Sequence, residues 1–179
     1  MRPRALVRDG EIHLRRPSSD DRTAFIAAAH RSRDLHHPWT TAPDSIDAFD
    51  AYLRRSRRRS QSCLLVCRDD GPLLGVYNLG EIVRGVFQSA YLGYYAFEPH
   101  AGNGWMRRAM PLVLRHAFDQ LGLHRLQANV QPENTASRAL LESTGWREEG
   151  FAPRYLHIDG AWRDHVMYAI TAEEVARTT

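Results

Sequence analysis

The stretch FEPHAGNGWMR, residues 97–107, comes closest to carrying chemistry by residue type alone. An aromatic run ends in a loop holding Gly102 and Gly104, and an amphipathic segment opens at Trp105. Glycines let a ligand approach the backbone closely. The unpaired N–H groups at a helix start, with the macrodipole behind them, attract phosphate. Arg107 and Arg108 add positive charge at the same place. The spacing is not the dinucleotide signature G-x-G-x-x-G, because position 107 is Arg. A plain strand–turn–helix connection would read the same way. A second segment, VQPENTASRALLESTG at 130–145, places Asn134 as a helix N-cap, worth about 1 kcal/mol. Ser137 then falls in the first helical turn, facing the end of the preceding strand. It is either a proton donor or an ordinary early-helix serine.

Composition removes several alternatives. The 24 basic residues are all Arg, so a P-loop lysine and a Schiff-base lysine are both impossible. G-x-S-x-G and H-E-x-x-H are absent from the sequence. The 9 histidines are scattered, with only His36 and His37 adjacent, and no metal site is expected. Cys63 and Cys67, in CLLVC, share one strand face but lie too far apart to bond each other. They read as buried, reduced thiols. A net charge of +3 is too small to mark a nucleic-acid binder. The run RRSRRR, from Arg54 to Arg59, suits a helix C-terminus, or a contact with RNA or an acidic surface. No apolar run approaches the roughly 18 residues of a membrane span, and none suits a signal peptide. The expected setting is cytoplasmic, with no membrane contact.

These residues need elements to position them. Alternation predicts strands over 11–17, 62–68, 73–82, 87–97, 124–131, 147–158 and 161–171. Asp69-Asp70-Gly71 and Asp159-Gly160 supply hairpin turns. Helices are predicted over 23–33 and 46–59, the latter with Ile46, Phe49, Tyr52 and Leu53 on one stripe. A third runs from about 105 to Leu121, with Gly122 as its cap and Pro111 deleting one backbone bond inside it. A short fourth follows Asn134. LHHPWTTAP, at 35–43, has no periodicity and reads as a loop. One domain over 1–179 is expected.

In this order and spacing the segments resemble the GNAT superfamily of acetyl-CoA-dependent N-acetyltransferases. They are most similar to the RimJ/RimL type, the ribosomal-protein N-terminal acetyltransferases. The strings that carry the resemblance are YLGYYAF, GNGWM, LGLHRLQANVQPENTASRALLESTGWREEG and RYLHIDGAWRDHVMYAI. It implies an α+β, three-layer GNAT fold. The sheet would be mixed and mostly antiparallel, of about seven strands splayed between the fourth and fifth, with about four helices on its faces.

It also implies acetyl-CoA as the cofactor. Backbone groups of Tyr95, Ala96 and Phe97 would hold the pantetheine arm. Gly102, Asn103, Gly104, Trp105, Met106 and Arg107 would hold the pyrophosphate. Asn134 would contact the arm, and Ser137 would lie near the thiol as the acid. Ala101 departs from the superfamily's usual Arg or Gln. Leu141 stands where some members carry an acidic tyrosine, and Asn129 where some carry a basic glutamate. The catalytic candidates are therefore Ser137 and Asn129, with water, Glu81 or Glu98 available to take the amine proton.

The acceptor implied is a protein or peptide N-terminus, of ribosomal-protein type and beginning with a small residue. An α-amine has a pKa of about 7.7–8.0, against about 10.4 for lysine, a gap of roughly 3.4 kcal/mol in deprotonation. A site without a strong base is thus better matched to α-amines. Trp39, Tyr155 and Trp162 are the aromatic candidates to grip it, between the 35–43 loop and the final hairpin; Trp162 is equally suited to packing. A small-molecule amine is the alternative acceptor, and a non-catalytic ribosome- or RNA-binding member is the alternative class. Either a monomer or a homodimer is compatible with the sequence.

Overall fold

Period-two alternation in SCLLVCR sends Cys63, Leu65 and Cys67 to one face of a strand and Leu64 and Val66 to the other. Both sets are buried, so helices must cover both faces of the sheet. The computed structural model describes residues 4–177 in that arrangement. The outermost positions of the expected 1–179 domain, 1–3 and 178–179, lie outside the described residues.

The sheet has eight strands: β1 (Val7–Asp9), β2 (Ile12–Arg15), β3 (Ser62–Arg68), β4 (Leu73–Val83), β5 (Ser89–Ala96), β6 (Arg125–Val130), β7 (Arg147–Ile158) and β8 (Ala161–Thr171). Their spatial order is β1-β2-β3-β4-β5-β6-β8-β7. All neighbours are antiparallel except β5 and β6. The strand beyond the expected seven is β1, three residues of which only Val7 is buried, too short to show alternation.

On one face lie α1 (Arg22–Arg31) and α3 (Ile46–Ser56). Phe25, Phe49 and Tyr52 from these helices pack with Phe97, Val76 and both cysteines. Between them, α2 (Arg33–His36) occupies the start of the segment expected to be loop. On the other face lie α4 (Trp105–Arg115) and α5 (Thr135–Ser143). Ala109, Met110, Val113 and Leu141 are fully buried in the second core. Pro111 leaves the Arg107 carbonyl without its usual donor. The helix continues through it and widens over His116–Gln120, where the Leu121 N–H bonds His116 O at 3.0 Å. A final short helix, α6 (Ala172–Ala176), follows β8. No helix among the described residues is long and apolar enough to cross a membrane.

One buried ion pair ties the first strands to the helical layer. The Arg15 guanidinium reaches both carboxylate oxygens of Asp21, at 2.6 and 2.8 Å, and both residues are buried. Burial alone would raise the Asp21 pKa. The bonds from Arg15 and from the Ser18 N–H outweigh it and hold the carboxyl below its usual range. Removing one partner of such a pair strands the other charge, at about 3–5 kcal/mol. Asp21→Asn should therefore lose roughly 3 kcal/mol in urea unfolding at pH 7. The folded-state pKa is depressed, so the wild-type advantage is complete above the unfolded value near 4 and shrinks as pH falls through the folded one. An unchanged gap between wild type and variant from pH 7 to pH 3 would contradict this.

Candidate active site

The site begins where the sheet opens. β5 and β6 pair only over Ser89↔Arg125, Ala90↔Leu126 and Tyr91↔Gln127. Beyond Tyr91, β5 stays bonded to β4 as far as Ala96, and β6 stays bonded to β8 as far as Val130. Each strand is thus satisfied on its outer edge, and a gap widens between them.

The ladder's phase decides which groups face that gap. The Phe97 N–H donates to Leu74 O at 2.9 Å, and the register runs back through Gly75↔Ala96 and Val76↔Tyr95. Antiparallel pairing alternates, so Tyr95 and Phe97 turn their backbone groups to β4, while Tyr94 and Ala96 turn theirs to the gap. Phe97 O is also engaged, by the His100 N–H at 2.9 Å. Of the expected trio Tyr95, Ala96 and Phe97, only Ala96 presents its backbone to the gap, and Tyr94 does so beside it. Sequence alternation identifies a strand but not the phase of its hydrogen bonds. The Ala96 carbonyl receives the Nε2–H of His36 at 2.8 Å. Burial pushes the His36 pKa down, so the neutral ring makes this bond.

At the mouth of the gap stands the start of α4. Its N-cap is Gly104, at φ 77°, and no side chain caps the helix. The first intrahelical donor is the Arg108 N–H, to Gly104 O at 3.0 Å. The N–H groups of Trp105, Met106 and Arg107 are therefore left for a ligand. A Cβ built on Gly102 or Gly104 meets nothing within 4 Å. Arg108 is drawn off to Glu11 at 3.2 Å and stacks on Trp105, whereas Arg107 has no ion pair among the described residues. Asn103 bonds back to Pro99 O at 3.4 Å. Gly75 sets how closely α4 approaches the sheet: a Cβ there would lie 2.5 Å from Met106 Sδ and 2.7 Å from Tyr95 O. The Tyr77 hydroxyl fixes the same turn by donating to Met106 O at 2.9 Å.

Across the gap, Asn134 caps α5 by accepting from the Ser137 N–H at 3.1 Å. Ser137 Oγ lies 2.6 Å from the Tyr94 hydroxyl, so the two strands' sides meet through a hydroxyl pair. Burial pushes the Tyr94 pKa well up, and the phenol stays protonated. Leu141 is fully buried core.

Two cavities share this junction. One, of about 220 Å³, runs along Tyr94, Tyr95 and Ala96 to Gly102 and Met106. The other, of about 150 Å³, lies between Trp39 and Thr40 of the 35–43 loop and Leu156, Ile158 and His165 of the final hairpin. Trp39, Thr40, Tyr94, Asn134 and Ser137 line both. Asn129 lines the second, an uncharged amide that accepts from Gln127 at 3.2 Å and has no lone pair basic enough to take a proton. No Asp or Glu lines it, Glu81 and Glu98 included. Tyr155 packs edge-on against His165, with ring centroids 5.9 Å apart. Trp162 is 62% exposed against His157, away from either lining. Arg54 and Arg55 end α3 and Arg57, Arg58 and Arg59 follow it, all exposed. Tyr94, His165 and Gln131 are among the polar cavity residues that motif spacing does not single out. The alternation of β6 and β8 was the available signal, and it marks a face rather than a function. Among the described residues, no group of three or more His, Cys, Asp or Glu could hold a metal ion.

A splayed sheet with an uncapped helix start at its mouth defines a site for an elongated ligand that carries a phosphate-like anion. The acetyltransferase (GNAT) domain model matches residues 11–147, and the chain belongs to that family. It is 42% identical over 101 residues to a probable N-acetyltransferase, YjcK, of Bacillus subtilis, covering 56% of each chain. It is 40% identical over 106 residues to the Escherichia coli [ribosomal protein uS5]-alanine N-acetyltransferase, covering 59% of this chain and 55% of that one. The match spans about half the length of these curated relatives. Among solved structures, Mycobacterium smegmatis RimJ in complex with CoA-disulfide superposes with a TM-score of 0.84 at 33% identity, covering 91% of this chain and 83% of that one.

The residues present fit a coenzyme A. The cradle at Gly102 and Gly104 is open, and among the described residues three helix-start N–H groups lack acceptors and Arg107 makes no ion pair. Gly104→Val adds a branched side chain in that cradle at a left-handed φ, a conformation costing about 1–2 kcal/mol for an L-residue. Calorimetry should find coenzyme A binding weakened by tenfold or more, with the fold retained. Equal affinity in wild type and variant would place the cofactor elsewhere.

Proposed function

We propose that this chain transfers the acetyl group of acetyl-CoA to the α-amine of a protein or peptide N-terminus, a ribosomal protein being the acceptor class. The observation that carries the reading is the common wall of the two cavities. A donor held at the Gly102–Gly104 loop and an acceptor entering beside the hairpin would meet at Ser137 and Tyr94. Kinship with the uS5-alanine acetyltransferase and with RimJ supports the acceptor class.

Acetyl-CoA supplies the activated acyl group as a thioester. The N–H groups of Trp105, Met106 and Arg107 hold its pyrophosphate, with the Arg107 side chain adding charge. The backbone groups of Tyr94 and Ala96 that face the gap bind the pantetheine arm, and Asn134 lines its path. Either hydroxyl of the Tyr94–Ser137 pair can be the donor, and the Tyr94 hydroxyl also reaches the Ser137 carbonyl at 3.2 Å; when Tyr94 donates to Ser137 Oγ, the Ser137 hydrogen is free to protonate a departing thiolate. The carboxylate-free lining of the second cavity favours an acceptor with one amine over a polyamine, whose several charges need counter-ions. It also suits an amine that loses its proton near neutrality.

The deciding assay offers peptides beginning with Ala or Ser and containing an internal lysine, with the α-amine free or blocked. Mass spectrometry should find acetyl only on free α-amines; equal acetylation of the blocked peptide would make the chain a lysine or small-amine acetyltransferase. For the free peptide, kcat/KM should rise with pH and level off near the amine pKa, roughly 8. Ser137→Ala should lower kcat with little change in Tm, and a wild-type kcat would remove its role as acid. Asn134→Ala should lower both coenzyme affinity and stability, because one side chain serves as helix cap and cavity wall.

A further inference from the structure

Among the described residues, two polar groups in the second cavity have no hydrogen-bond partner, and they differ in kind. Gln131, at the end of β6, is buried, and its Nε2 has no acceptor. A buried donor left unpaired is costly and rare, and points to a ligand that supplies the missing oxygen. Opposite it on β8, His165 is 1% exposed and lines the same cavity. Its Nδ1 lies 2.9 Å from the Arg163 carbonyl, which can only accept. The proton is therefore on Nδ1, and Nε2 carries a lone pair. Among the described residues, Nε2 makes no hydrogen bond.

Resting on the N-terminal acetyltransferase reading above, we propose that these two groups read an α-amino terminus at two points. His165 Nε2 takes the proton of the acceptor amine, and Gln131 Nε2 donates to the first carbonyl oxygen of the acceptor. A peptide N-terminus carries an amine and, three bonds away, a carbonyl oxygen. An alkylamine has only the first. The new bond joins the amine nitrogen to the acyl carbon, and the carbon–sulfur bond breaks. The nitrogen's surplus proton goes to His165 Nε2, Ser137 Oγ supplies the proton for the sulfur, and exchange with water resets both side chains.

The surroundings of His165 keep it in its working form. Tyr155 of β7 lies against its ring, and Tyr94 of β5 lines the cavity with it; both are neutral. Asp164, its neighbour on β8, is exposed and accepts from the Arg154 N–H at 2.7 Å. The 35–43 loop and α5 contribute Trp39, Thr40, Asn134 and Ser137, all uncharged. Burial lowers the His165 pKa, against the opposing effects of the Arg163 carbonyl and Asp164. The ring is thus neutral at pH 7 and becomes a cation only as pH falls below the ordinary imidazole value.

Nitrogen-resolved NMR of the wild-type histidines is the first arm, with no cofactor present. An Ala-initiated peptide should shift His165 Nε2, and the same peptide with an acetylated terminus should not. Kinetics are the second arm. His165→Asn keeps a donor toward Arg163 O but has no base, and should lower kcat about 10²-fold. Added imidazole should restore part of that loss, which a merely structural role would not allow. Gln131→Met should raise the peptide KM about tenfold with kcat within threefold. A silent Nε2 on peptide addition overturns the proposal, as does a wild type that acetylates α-amines while His165→Asn stays within threefold of it. A wild type that acetylates lysines but no α-amine overturns the functional reading itself, and this inference with it.

Discussion

The end of β5–β6 pairing at Tyr91↔Gln127 is the constraint on which the rest of the structure depends. Two strands that part must each find backbone partners on their other edge, and β4 and β8 supply them along the full length of the gap. The inner edge of β5 is then a row of groups with no strand to satisfy them, which ordinary sheet interiors do not tolerate. His36 answers one of them by bonding Ala96 O. The Tyr94–Ser137 hydroxyl pair bridges the opening further in. The helix start at Gly104 and the capped start of α5 at Asn134 both face the same gap, so both helix dipoles contribute positive potential there.

The packed layers exist to hold that opening rigid. Gly75 lets α4 press against β4 and β5, and Tyr77 pins the first turn through Met106 O. On the opposite face, the Phe25–Phe49–Tyr52–Phe97 cluster braces the end of β5 from below, with Tyr52 bonded to Asn78 at 2.9 Å. Gln131 Nε2 and His165 Nε2 in the second cavity, and the N–H groups that open α4, are unpartnered among the described residues where a ligand could answer them; Tyr95 Oη and Trp146 Nε1 are also buried without a partner.

Much of this was legible in the sequence because it rests on short-range rules. The alternation in CLLVC, the Asn134 cap, the hairpin dipeptide Asp159-Gly160 and the GNG loop each depend on a few adjacent residues. What was not legible depends on phase or on partners distant in sequence. No pattern in YLGYYAF tells which of its residues bonds β4, so the string does not mark Tyr94, and the backbone of Phe97 is engaged by Leu74 and His100. In the sequence His165 is one of nine scattered histidines; only the folded β8 brings it to the same cavity as Ser137. β1, with one buried residue in three, carried no alternation to read.

Amide-resolved hydrogen exchange, with and without coenzyme A, tests the central claim most directly, because that claim concerns which backbone groups the open sheet leaves for the cofactor. The amides of Tyr94, Ala96, Trp105, Met106 and Arg107 should exchange quickly in the free protein and slow markedly on binding. Those of Tyr95 and Phe97, already bonded to β4, should be slow in both states. Protection confined to other segments, or Tyr95 and Phe97 responding in place of Tyr94 and Ala96, would contradict the account.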